Sequence, residues 1–140
     1  AQGMGASAAL WPYASVGWGW GVSEGYEDYY QDSKGWAGAG DVDVIVPMMY
    51  GGMMDDIARW QVVLEDFTGD PGLTHVYPGL GGYYPGFDEI ADRIEMAREA
   101  GASGHGVFSF SGVDRFDYWD DFANGPYREP AQPPLRLTGP

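Results

Sequence analysis

The stretch Val42-Asp43-Val44-Ile45-Val46-Pro47-Met48-Met49-Tyr50 is apolar at every position but Asp43. A short run of branched and aromatic residues like this suits a strand buried on both faces, as in parallel sheets. Three further runs of similar character lie at residues 7–12, 74–80 and 106–110. Their starts are about 31–35 residues apart, the length of one strand-helix-strand step.

Helical patterns occupy the intervals. Tyr26, Tyr29, Tyr30, Ser33, Trp36 and Ala37 fall on one stripe, with Glu27, Asp28, Gln31 and Lys34 opposite and Gly40 as a left-handed cap. A second helix begins near Asp55 and Asp56, which suit the positive end of a helix dipole. Its inner stripe is Ile57, Trp60, Leu64 and Phe67, and Gly69-Asp70-Pro71-Gly72 stops it. A third spans 88–100, with Ile90, Ile94 and Ala97 inward and Gly101 at its end. Phe116, Tyr118, Trp119 and Phe122 suit a short last helix. From Pro126 the composition is that of a Pro-rich tail or linker without a packed core. The expected fold is α/β, with parallel strands alternating with helices over residues 1–125 and a tail over 126–140. Four units are half of the eight in a closed barrel.

Leu, Ile, Val and Phe make up less than a fifth of the 140 residues, and the net charge is −14. That pairing alone is the mark of disorder. However, 6 Trp, 10 Tyr and 6 Met supply the missing core material, since each aromatic side chain buries about 150–250 Å². One Lys and six Arg against 21 acidic residues argue against nucleic acid as a partner. No apolar run approaches the ~20 residues of a membrane span. The absence of Cys excludes disulfides and thiolate metal sites. A start at Ala1 without a signal peptide suits a mature product or an excised piece.

Between residues 26 and 50 the spacing reads Tyr26-x3-Tyr30-x-Asp32-x3-Trp36-x3-Gly40-x2-Asp43-x3-Pro47-x2-Tyr50. This resembles the bacterial glycosyl-hydrolase-like family ten, where an aromatic helix with a Tyr-x-Asp-x3-Trp core leads into an Asp-Tyr-Ile-x-Pro-x-x-Tyr strand. Tyr77-Pro78-Gly79-Leu80-Gly81-Gly82-Tyr83 is similar to that family's seventh-strand segment, and Gly106-Val107-Phe108-Ser109-Phe110-Ser111 to its eighth. The resemblance implies strands five to eight of a (β/α)8 TIM-type barrel, a half-barrel whose N-terminal half is missing. It also implies a glycoside hydrolase of the bacterial cell envelope, periplasmic, lipoprotein-anchored or extracellular, acting on peptidoglycan glycan or another polysaccharide. The sequence departs from the family at Met48-Met49, where a polar residue or Gln often follows the Pro.

Barrel active sites lie at the C-terminal ends of the strands. Glycoside hydrolysis usually needs two carboxylates about 5–9.5 Å apart, and no strand end here carries one in its last residues. The main catalytic acids of a glycosidase are therefore expected in the missing half. Asp32, beside the aromatic stripe, and Asp114, just past the fourth strand, are the local catalytic candidates. Either carboxylate could reach the cleft, or simply satisfy a nearby backbone N–H.

The Gly-rich loop after residue 12 presents Trp18 and Trp20 for stacking on sugar rings, with Trp11 and Tyr13 as walls. Met49, Tyr50, Tyr83 and Ser109 complete the expected substrate-binding set, the two Tyr as hydroxyl donors. Those aromatics could equally cap the core or dock the absent half. His75 and His105 precede strands and so belong to the opposite, stability face. No His-x-His or His-Glu-x-x-His spacing supports a metal, and no Gly-x-x-x-x-Gly-Lys loop supports a nucleotide, so no cofactor is expected. Two alternatives stand beside the hydrolase: a non-catalytic carbohydrate-binding barrel, and an open α/β fragment that oligomerises through exposed strand edges.

Overall fold

The structure is a computed structural model that describes residues 5–14 and 17–131. It is a mixed α/β arrangement whose strand pairs are all parallel. Strand β1 (Ser7–Leu10) leads through helices α1 (Gly25–Tyr29) and α2 (Ser33–Ala39) to β2 (Val44–Pro47). A 3-10 turn (Gly52–Asp55) and α3 (Ile57–Thr68) follow, then β3 (His75–Val76) and β4 (Gly79–Gly81). Helix α4 (Phe87–Glu99), β5 (Gly106–Phe108), α5 (Phe110–Phe116) and α6 (Trp119–Asn124) complete the order.

The strands lie side by side in chain order, β1-β2-β3 in one sheet and β4-β5 in another. The third run expected at 74–80 is thus two short strands on one extended segment, divided at Tyr77-Pro78. Pro78 has no N–H to give a ladder. Instead, the Tyr77 amide donates back to Ile45 O (2.9 Å) and the Gly106 amide donates to Pro78 O (3.1 Å). The segment changes partner at the proline and keeps the lateral order.

The register sets Ala8, Leu10, Ile45, Pro47 and Val76 on one face and Ser7, Ala9, Val44 and Val46 on the other. The first face is buried against the helices. Its core joins Leu10, Ile45, Val76 and Leu80 to Trp60, Val63, Leu64 and Phe67 of α3 and to Ile90, Ile94 and Ala97 of α4. The other face is bare: Ser7 and Ala9 are exposed, and Val44 and Val46 are only half-buried. Helices therefore cover one side of the strands only.

Local chemistry explains where the helices start. Asp56 caps α3, accepting from the amides of Ala58 (2.9 Å) and Arg59 (3.1 Å). Gly101, with φ +76°, turns the chain out of α4. The expected single helix over the aromatic stripe is instead two. Tyr30 adopts φ 57° and closes α1, and Asp32 starts α2 by accepting from the Gly35 amide (3.0 Å). The break rotates the stripe out of phase, so Tyr26, Tyr29 and Tyr30 are exposed rather than inward. Ile57 is also exposed, and Val63 takes its place in the core. Phe110, expected in the last strand, opens α5.

Of the tail expected over 126–140, residues 132–140 lie outside the described residues, and Tyr127 packs onto the fold. Tyr127 stacks on Phe122 (5.1 Å, 15°) and on His105 (5.6 Å, 17°), and its hydroxyl meets His105 Nε2 at 2.7 Å. Burial, helped by the Arg98 charge, lowers the His105 pKa to about 4. The unfolded imidazole titrates near 6.5, so the unfolded chain binds a proton first as pH falls. Stability should therefore drop between about pH 6.5 and 4. Urea titrations across that range should show a smaller drop for His105→Gln than for the parent chain. Equal drops would place the titrating group elsewhere.

The Trp60 indole, fully buried, donates to Met49 O (2.9 Å) and so pins α3 beneath the end of β2. Trp60→Phe keeps the ring but orphans that carbonyl, a loss of about 1–3 kcal/mol measurable by urea unfolding.

Candidate functional site

The chain leaves β1, β2, β4 and β5 on the same side of the sheet, and the residues that follow build a mouth there. Trp11, Pro12 and Tyr13 follow β1, and Met48 and Tyr50 follow β2. A cleft of about 470 Å³ opens between these two groups, floored by Met53 and Met54 of the 3-10 turn. Strand alternation decides which methionine faces it. Met48 lines the cleft, whereas Met49 has 0% of its surface exposed and belongs to the core. Met49, expected in the substrate-binding set, is thus sealed from the cleft, and Met48, one step out of phase, is the methionine that lines it.

The loop beyond Tyr13 brings its two indoles together. Trp18 and Trp20 lie 4.8 Å apart at 33°, and each meets the Tyr13 ring edge-on, at 6.3 and 6.2 Å. Gly19 and Gly21 hold positive φ (+69° and +67°), which lets the backbone fold the rings onto one another. Arg59 covers the Trp20 ring at 5.4 Å. Burial raises the Tyr13 phenol above its ordinary value, and Arg59 works in the opposite direction. Trp11 is fixed separately: its indole donates to Ser23 O (2.7 Å) and its amide to Gln31 Oε1 (2.7 Å).

A second cluster gathers the ends of β2, β4 and β5. Tyr50 stacks on Phe108 at 4.7 Å with planes 5° apart, and 54% of the Phe108 surface remains exposed. Glycines make room for it. A Cβ on Gly79 would meet the Tyr50 ring at 3.0 Å, and one on Gly81 the Tyr83 ring at 2.9 Å. Burial raises the Tyr50 and Tyr83 phenols, and the Asp55 carboxylate beside Tyr83 adds to the second shift by opposing a phenolate. Both hydroxyls thus stay protonated donors. Ser109 and Ser111 pair through their hydroxyls (2.8 Å) just beyond Phe108.

The neighbouring aspartates 55 and 56 divide their work. Asp56 is the helix cap, whereas Asp55 turns back to accept from the Gly51 amide (3.3 Å) and faces Tyr83. Asp55 is exposed. Reading both as helix-start residues missed this carboxylate at the mouth, although the doublet itself was a signal: one N-cap position takes only one side chain. Arg93, only 1% exposed, secures the turn from below. It donates to the main-chain oxygens of Asp55 (2.8 Å) and Glu89 (3.0 Å), pairs with Glu89 (3.5 Å), and lies 4.4 Å over Tyr84.

The two catalytic candidates are engaged locally. Asp32 caps α2 through the Gly35 amide, and Asp114 accepts from the Trp119 indole (3.3 Å). Neither lines the 470 Å³ cleft. His75 opens β3 and His105 precedes β5, at the strand starts and away from the mouth. Among the described residues no three His, Asp or Glu side chains converge as metal ligands. No described helix is long and apolar enough to cross a membrane.

No protein-family model matches the sequence, and no curated protein matches it significantly.

Arg93→Met keeps the side-chain length but leaves the carbonyls of Asp55 and Glu89 without their donor, while the solvent-facing Glu89 carboxylate is rehydrated. Orphaning such acceptors costs about 1–3 kcal/mol, and thermal unfolding should record that loss. A change within about 0.5 kcal/mol would mean that the guanidinium does not hold the turn.

Proposed function

We propose that the chain is the second half, strands five to eight, of a (β/α)8 barrel of the glycosyl-hydrolase-like family ten type. In this reading the barrel binds a bacterial envelope glycan at its mouth. The observation that carries it is the one-sided burial: parallel strands in chain order, helices on one face, and the other face bare. A doubly wound sheet would have helices on both faces, whereas a barrel keeps its second face for the interior. The free side of β5 supports the same reading. There Val107, Phe110, Val113, Trp119, Phe122 and Tyr127 border an apolar hollow of about 620 Å³, a surface suited to an adjoining strand-helix unit.

Glycan binding is supported by the chemistry of the mouth. Aromatic faces carry negative quadrupole density that attracts the C–H faces of pyranose rings. Protonated phenols and paired serine hydroxyls at its rim suit sugar hydroxyls. The site belongs with an envelope or extracellular protein, where such polymers lie.

Hydrolysis in this reading draws its acid pair mainly from the first half. A non-catalytic carbohydrate-binding barrel is the second reading, favoured by the local engagement of both Asp32 and Asp114. Incubating the full-length protein with peptidoglycan glycan separates the two. Release of reducing ends supports the hydrolase, and binding without release supports the lectin-like barrel.

Trp20→Ala removes the ring that Tyr13, Trp18 and Arg59 all contact. It should weaken glycan binding by roughly tenfold, the scale of one lost aromatic contact of about 1.4 kcal/mol. Unchanged affinity in a calorimetric titration would remove this loop from the site.

A further inference from the structure

The strand-end cluster at Tyr50, Tyr83 and Phe108 carries information about the charge of its ligand. Asp55 is an exposed carboxylate set against the Tyr83 phenol, and an ionised carboxylate only accepts hydrogen bonds. No described cation is free to answer an anion there. Arg93 is buried and spent on Glu89 and two carbonyls. Lys34 pairs with Asp66, Arg98 with Glu95, and Arg128 with Glu129. Arg115 lies over Phe116 on α5. Arg59 stands over Trp20, and its charge acts on Tyr13 rather than on Tyr50 or Tyr83. The whole chain carries −14, and a concave mouth concentrates a field of one sign.

From these placements we infer that Tyr50, Tyr83, Phe108 and Asp55 form a sugar subsite for a neutral or amine-bearing pyranose, and that it rejects anionic sugars. Phe108, braced by Tyr50, offers the stacking surface. Asp55 accepts from the ring's hydroxyl or ammonium hydrogens as well as from the Tyr83 phenol, whose oxygen in turn accepts from a sugar hydroxyl. The inference rests on the glycan reading above and narrows it. N-acetylated or free glucosamine units fit, and units bearing an ionised acid side group do not.

The test is calorimetric titration of the full-length protein, at low salt, with oligomers of N-acetylglucosamine, glucosamine and galacturonic acid of equal length. The glucosamine oligomer should bind at least as tightly as the neutral one, and the galacturonic acid oligomer about tenfold or more weakly, the scale of one charge-assisted hydrogen bond. Asp55→Asn keeps the side chain's shape and an oxygen for the Gly51 amide, and should abolish any advantage of the amine while leaving the neutral oligomer bound. Phe108→Leu should weaken the neutral and amine oligomers alike, with thermal unfolding run alongside to confirm the fold. Equal or tighter binding of the uronic acid, lost in Arg59→Gln, would overturn the inference and leave glycan binding intact. An amine advantage that survives Asp55→Asn would also overturn it. Failure of all three oligomers to bind would overturn the glycan reading and this inference together.

Discussion

Parallel strands laid down in chain order need a crossover between each pair, and right-handed crossovers then place every helix on the same face. That constraint governs the molecule. It explains why Leu10, Ile45, Val76 and Leu80 are sealed while Ser7, Ala9, Val44 and Val46 are not. It also gathers every strand's C-terminal end on one side, which is where Tyr13, Tyr50, Tyr83 and Phe108 meet. The mouth is thus a consequence of the winding rather than of any single motif. The buried contact from the Trp60 indole to Met49 O then fixes the height of α3 against β2.

Large aromatics in a site need small neighbours, and the strands supply them. The short β4 is Gly79-Leu80-Gly81, with its one large side chain toward the helices and its glycines toward the Tyr50 and Tyr83 rings. Gly104 admits the Tyr77 ring in the same manner, at a Cβ distance of 3.0 Å. The Gly and Tyr content that depresses aliphatic composition is therefore one packing solution, in which rings fill space that Leu and Ile fill in other sheets. The acidic excess stays on the surface and at helix starts: of the 21 acidic residues, Asp32 and Asp56 are caps and Asp55 faces the mouth.

Periodicity made the helix-facing layer legible in the sequence. The strand at 44–47, the inner faces of α3 and α4, and the stop at Gly101 all follow from apolar spacing and glycine position. What spacing could not give was phase after an interruption. The left-handed Tyr30 splits the first helix, and Pro78 splits the third strand, each by a local backbone event that leaves the hydrophobic pattern looking continuous. Met49 was misplaced for the related reason that alternation past a strand end depends on where the strand stops. Arg93 left no sequence signal at all. A buried guanidinium held by carbonyls looks, in sequence, like any charged residue on a helix surface. Phe108 read as core because its run is apolar, yet it ends the strand on the bare face.

The bare face is the feature on which the half-barrel account depends, and solvent access measures it directly. Hydroxyl-radical footprinting of the full-length protein can compare Val44 and Val46 with two internal references, sealed Ile45 (1% exposed) and surface Val62 (40% exposed). If the face is a barrel interior, Val44 and Val46 should be oxidised as slowly as Ile45. Oxidation at the rate of Val62 would mean that nothing covers the face, and would contradict the account.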